Sequence, residues 1–135
     1  MADDDEDDCF FFKEALSNVI GKANIICAIN GEELLQLLKD RIPPAPDFIF
    51  LDLNMPKKSG HECLKEIRNN PFYTDLRIVI LTTSKAQRDI DMTYQNGADY
   101  YICKPASMTD YETALQKLFS FTFQTRPAKE EFVIN

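Results

Sequence analysis

The sequence predicts an α/β domain organised on a parallel sheet. Short apolar runs alternate with longer amphipathic segments along nearly the whole chain, the order that makes strand and helix in turn. Two of the runs, Phe48–Leu51 and Ile78–Leu81, are apolar at every position. A half-exposed strand alternates polar and apolar residues, whereas an unbroken run belongs to a strand covered by helices on both faces.

Each element follows from its own pattern. Phe10 to Ile20 sets Phe11, Ala15, Leu16 and Val19 at helical spacing. Asn24 to Ile29 is a β-rich apolar run stopped by Asn30-Gly31, and Glu32 to Lys39 is a helix with Leu34, Leu35, Leu37 and Leu38 inward. Arg41 to Pro46 carries three prolines, which fix φ and remove donors, so no regular structure is expected there. A helix from about Ser59 to Asn69 presents Cys63, Leu64 and Ile67 on one face. Lys85 to Asn96 is a further helix, closed by Gly97 as its C-cap. Tyr100–Cys103 is the fourth visible strand, and Met108 to about Phe121 the last helix, with Leu115, Leu118 and Phe119 at helical spacing. Thr122 to Asn135 has no clear period. It either packs on the domain, contributes to a dimer or lacks fixed structure.

Bulk composition agrees with one folded unit. The chain has 135 residues, 44% hydrophobic and 27% charged, the range of an ordinary globular domain. No apolar stretch approaches the roughly 20 residues needed to span a bilayer. No apolar leader with a cleavage site opens the chain, so a cytoplasmic protein without membrane association is expected. Six of the 22 acids lie in Asp3–Asp8 and the rest nearly balance the 15 bases. The net charge of -7 is therefore local, and without a basic stripe nucleic acid is not an expected partner. Cys9, Cys27, Cys63 and Cys103 are scattered, and the single histidine, His61, completes no zinc spacing with them. Reduced, mostly buried thiols are the expectation.

In open parallel sheets, sites form beyond the carboxyl ends of the strands. Phe48–Leu51 ends in Asp52, Ile78–Leu81 in Thr82-Thr83, and Tyr100–Cys103 in Lys104-Pro105. The acidic run Asp3–Asp8 directly precedes the first helix, where a first strand would end. Taken singly, each has an ordinary explanation: Asp52 as a turn residue, the acids as a solvated stretch, Lys104 as a loop residue. Four segments meeting at one sheet edge with carboxylates, a hydroxyl and an ammonium point instead to a site. Clustered carboxylates favour a hard, oxygen-seeking cation. His61 reads as a surface histidine at a helix start, without a role.

The run Phe50-Leu-Asp-Leu-Asn-Met-Pro-Lys-Lys-Ser-Gly60 resembles the phosphoacceptor loop of bacterial response-regulator receiver domains. The acidic run, Thr82-Thr-Ser84, Lys104-Pro105 and the spacings between them also match that family. The resemblance covers the chain to about Phe121 and implies a receiver domain over 1–121 and a tail over 122–135, with no output domain. It implies a flavodoxin-like, doubly wound sheet of five parallel strands in the order 2-1-3-4-5, with five helices. It implies that Asp52 accepts a phosphoryl group from a sensor histidine kinase or histidine phosphotransfer protein, with Mg²⁺ held by Asp3, Asp4, Asp52 and Asn54. Lys104 then pairs with phosphoryl oxygens, Thr82 donates its hydroxyl to them, and Tyr101 changes rotamer with Thr82. Asn54 and Ser84 occupy positions that tune hydrolysis of the acyl phosphate. Pro105, after a cis bond, and Gly60 are structural. The implied output face comprises the fourth helix, the Tyr100–Cys103 strand and the last helix, used for a downstream protein partner or a homodimer.

Such a protein is a phosphoacceptor and not a turnover enzyme, with only weak self-phosphorylation and autophosphatase chemistry. The proline-rich loop and the Asn70–Leu76 loop resemble those of the phytochrome-associated subgroup. An unphosphorylated interaction scaffold of the same fold is the alternative, and the complete set of Asp52, Thr82 and Lys104 argues against it. A Mg²⁺-dependent phosphohydrolase with an aspartyl nucleophile is disfavoured by Asn54, where a second Asp would stand. One departure is plain: the chain begins Met1-Ala2-Asp3, so the first strand is expected to be largely missing, with its residues lying upstream.

Overall fold

Unbroken apolar runs become strands because both of their faces find helices. In the computed structural model, which describes residues 1–40, 46–121 and 126–134, β1 (Phe48–Leu51), β2 (Arg77–Thr82) and β3 (Tyr100–Cys103) lie side by side and parallel. Alternate residues of each run go to opposite faces. Ile49, Leu51, Ile78 and Ile80 join one core with Leu34, Leu38, Leu64 and Ile67 of α2 (Gly31–Asp40) and α3 (Gly60–Asn69). Phe50, Val79, Leu81 and Ile102 join the other with Phe12, Leu16, Leu115 and Leu118 of α1 (Glu6–Ile20) and α5 (Met108–Ser120). The fifth helix, α4 (Gln87–Gln95), packs on the first of these faces through Ile90 and Tyr94. The expected α/β architecture with five helices is the one observed.

The helix boundaries have local chemical causes. Asp5 caps α1, accepting hydrogen bonds from the Asp7 and Asp8 amides. Glu6, Asp7 and Asp8 therefore sit in the first turn, where acids suit the helix dipole, and α1 begins four residues earlier than its apolar period suggests. Ser59 and Glu62 form a capping box at the start of α3. Gly97, at φ 99°, turns the chain out of α4 in a conformation that side chains resist.

The two edges of the sheet depart from expectation. Asn24–Ile29 makes no strand; Ala2 alone bridges, in parallel, Ala28 on one side and Leu51 on the other. A strand ladder needs a partner of matching length, and Ala2 supplies one residue. These two bridges nonetheless preserve the lateral order expected for the first three strands. At the opposite edge β4 (Val133–Ile134) pairs in parallel with β3, so the described residues form a four-stranded sheet ordered β1-β2-β3-β4. Phe132, fully buried beside β4, meets Tyr94 and Tyr101 at ring-centroid distances of 5.1 and 6.0 Å. Cys9 of α1 and Cys27, 18 residues apart in sequence, stand side by side with their Cα atoms 6.8 Å apart. Cys63 is free and buried, and Cys103 is free and half-buried. The proline-rich stretch 41–45 and tail residues 122–125 lie outside the described residues.

Candidate functional site

Parallel strands bring their carboxyl ends to one edge, and that register assembles the site. Leu51 stands beside Ile80 and Thr82 beside Cys103, so Asp52, Thr82 and Lys104 emerge together. The Lys104 amide donates to the Thr82 carbonyl at 2.8 Å, locking the last two. Asp3 reaches the same edge through the short N-terminal stub. The Ala2 amide donates to Phe50 O (2.8 Å), the Asp3 amide to Ala28 O (2.9 Å) and the Asp52 amide to Ala2 O (3.0 Å).

The side chains then converge on one ammonium. Lys104 Nζ lies 2.6 Å from Asp3 Oδ2, 2.7 Å from Asp8 Oδ2 and 3.2 Å from Asp52 Oδ2. Asp3 and Asp52 are buried, at 3% and 6% exposure, so little water screens this charge. Burial works against the charged lysine, but the Asp3 and Asp8 carboxylates beside it and the Asp52 charge outweigh it. The Lys104 pKa is held above its ordinary value. Burial raises the Asp3 pKa, opposed by the Lys104 ammonium beside it and by the hydrogen bond from the Asp5 amide.

Three carboxylates about one ammonium leave a negative excess, which suits a cation. Ligand atoms of Asp3, Asp4 and Asp52 all lie within 4.8 Å of one another, with Asp4 exposed. Asp3 Oδ2 is buried and lacks an aligned hydrogen-bond donor, although Lys104 Nζ stands close to it. A carboxylate oxygen in that state is a ready ligand for a hard divalent ion. Asp52 is oriented by the Leu53 amide, which donates to Oδ1 at 2.8 Å and leaves Oδ2 facing Lys104. Asn54 is exposed in the loop that follows.

The rest of the implied set surrounds this centre. Gly60 approaches so closely that a Cβ there would stand 2.1 Å from the Asp52 carbonyl oxygen. Its amide donates to Leu53 O, fixing the loop's return. Thr82 is fully buried, and its hydroxyl accepts from the Ser84 amide at 3.4 Å. Tyr101 is fully buried too, its hydroxyl donating to the Ser84 carbonyl at 2.9 Å. Burial pushes that phenol up to about 12. Pro105 follows Lys104 half-buried.

Two features escaped the sequence reading. Asp8 touches Lys104 from the first turn of α1, where the acidic run hides it among exposed neighbours. His61, read as without a role, bonds Asp89 through Nε2 at 2.9 Å, and Asp89 in turn accepts from the Ser84 hydroxyl. An open cavity of about 650 Å³, lined by Lys13, Ser17, Lys22 and Ile25, lies at the far end of α1 from these carboxylates.

A family model of the response regulator receiver domain matches residues 1–116. Response regulator Rcp1 of Synechocystis is 38% identical over 82 residues, covering 61% of this chain and 56% of its own length. The probable C4-dicarboxylate response regulator DctR of Bacillus subtilis is 35% identical over 105 residues, 78% of this chain and 44% of DctR. The chain thus spans about half the length of these curated relatives. Among solved structures, the phosphorylated cyanobacterial phytochrome response regulator RcpA superimposes with a TM-score of 0.81 at 29% identity, over 94% of this chain and 95% of RcpA. The Mn²⁺-bound form of Rcp1 does so at 0.77 and 30% identity, over 94% and 96%.

Proposed function

The chain belongs to the response regulator receiver domain family of two-component signalling, and on that premise we propose that Asp52 is its phosphoacceptor. The observation that carries this reading is the buried Asp52 carboxylate, oriented by the Leu53 amide and facing the Lys104 ammonium at 3.2 Å. A phosphohistidine of a sensor kinase or phosphotransfer protein is the donor. An Asp52 oxygen attacks phosphorus, the P–N bond breaks, and the imidazole leaves with a proton. An acyl phosphate on Asp52 results.

Mg²⁺ fits the donor set, with Asp3, Asp4, Asp52 and the Asn54 carbonyl as its ligands. Bound there, it would neutralise charge on the transferring phosphoryl oxygens. Lys104 exchanges its carboxylate partners for a phosphoryl oxygen, a charge-assisted bond. The Thr82 hydroxyl, whose oxygen already accepts from Ser84, keeps its proton free to donate to another. That contact draws the Thr82–Ser84 loop inward and favours buried Tyr101, whose hydroxyl reaches the same loop. Asn54 and Ser84 sit where they set the rate at which water removes the phosphoryl group. The readout is a protein contact on α4, β3 and α5, with a second copy of the chain or a downstream protein as partner. The likeness to Rcp1 and RcpA supports a phytochrome-type kinase as donor. No described helix is long and apolar enough to cross a membrane.

The test is intact-mass measurement after incubation with acetyl phosphate and Mg²⁺. The mass of one phosphoryl group should appear in the wild type and be absent from Asp52→Asn. An unmodified wild type would favour the scaffold reading, and modification of Asp52→Asn would move the acceptor elsewhere.

A further inference from the structure

Ser84 is tied in three directions. Its hydroxyl donates to Asp89 Oδ2 at 2.5 Å, its carbonyl accepts from Tyr101 Oη at 2.9 Å, and its amide points to the Thr82 hydroxyl at 3.4 Å. The other Asp89 oxygen, Oδ1, meets His61 Nε2 at 2.9 Å, so the first turns of α3 and α4 are joined through one carboxylate. Helix α4 has no side-chain cap at Ala86, and an acid three residues on would ordinarily serve that helix end. Here both Asp89 oxygens turn away from the cap, one to the switch loop and one to α3. The Ser84 hydroxyl and His61 hold the Asp89 carboxyl below the usual range.

We propose that Asp89, held by His61, is a positioning residue for the phosphorylation switch. It anchors Ser84 with its carbonyl facing inward and so favours the buried rotamer of Tyr101. The proposal rests on the phosphoacceptor reading for its consequence, though not for its geometry. Phosphorylation and Asp89 favour the same arrangement of the loop, so each lowers the cost of the other. Without the anchor, Ser84 turns freely, its carbonyl loses its fixed direction and Tyr101 loses its acceptor. His61 acts one step further out, keeping Asp89 aimed at Ser84.

The test uses the full chain labelled with 3-fluorotyrosine, with the Tyr101 resonance assigned from Tyr101→Phe, and beryllofluoride with Mg²⁺ as phosphoryl mimic. Asp89→Ala should move the Tyr101 resonance toward its solvent-exposed position without any ligand. It should also weaken beryllofluoride binding about tenfold, which corresponds to ~1.4 kcal/mol. His61→Leu should do the same more weakly, and His61→Arg should restore both readouts, since arginine can still pair with Asp89. Asp89→Asn, which keeps the shape, covers the case in which the alanine variant does not fold.

A Tyr101 resonance and beryllofluoride affinity that stay at wild-type values, with only thermal stability reduced, would overturn the proposal and leave Asp89 a structural tie. Failure of the wild type to bind beryllofluoride would strike the phosphoacceptor reading. The ligand-free Tyr101 resonance would still decide for or against Asp89.

Discussion

The acidic pocket and the β3 edge beneath the tail are about equally buried, yet different forces hold them. In the pocket, Asp3, Asp8 and Asp52 crowd one lysine, and like charges are tolerated because Lys104 answers all three. Such an arrangement suits chemistry more than stability, since desolvating ion pairs offsets most of their attraction. At the β3 edge, Phe132 fills apolar space beside Tyr94 and Tyr101 on one face and Ile134 joins Tyr100 and Ile102 on the other, which stabilises the fold and carries no charge. The contrast separates two kinds of buried residue: one set of charged groups crowded about Lys104, the other an apolar set closing the sheet.

The largest effect should come from breaking the pocket's charge balance. Lys104→Met leaves buried carboxylates unpaired and should cost about 3–5 kcal/mol in denaturant titrations without metal. Millimolar Mg²⁺ should return much of that loss if the acids are cation ligands, whereas a metal-independent loss would remove the cation from the account. Next, Phe132→Ala should cost about 3 kcal/mol by leaving a cavity against Tyr94 and Tyr101. Acetyl phosphate should still modify Asp52 in this variant, as measured by intact mass, because the phosphoryl chemistry does not use the tail. Loss of modification in a folded Phe132→Ala protein would merge the two regions into one.

The smallest effect belongs to Asp89, which bridges the two regions. Its carboxyl pKa lies below the ordinary 3.8 in the folded chain, owing first to the Ser84 hydroxyl and then to His61. Its stabilisation is therefore complete above the ordinary value and is lost as pH falls through the lower folded one. Wild type minus Asp89→Asn stability, measured from pH 6 downward, should be flat and then shrink below roughly pH 4. A difference that grows on acidification would contradict the assignment.

The pocket was more legible in the sequence than the edge, for a physical reason. Asp52, Thr82 and Lys104 each end an unbroken apolar run, so local pattern and parallel topology together bring them to one place. Asp8 was hidden because a run of acids looks uniform until the helix start is known, although Asp5 followed by three acids is itself an N-terminal signature. The segment 24–29 has strand composition, but a ladder depends on its neighbour, and Ala2 offers a single residue. Phe132-Val-Ile134 is too short to show a period, and its strand exists because β3 presents an open edge. The link from His61 to Asp89 spans 28 positions and leaves no local trace.

The central claim is the chemistry of Asp52, and borohydride trapping tests it most directly. Borohydride reduces an aspartyl acyl phosphate to homoserine, which peptide mass spectrometry can locate. After treatment with acetyl phosphate and Mg²⁺, homoserine should replace aspartate at position 52 and nowhere else. Homoserine at position 3, 4 or 8, or phosphorylated protein that yields none, would contradict the account.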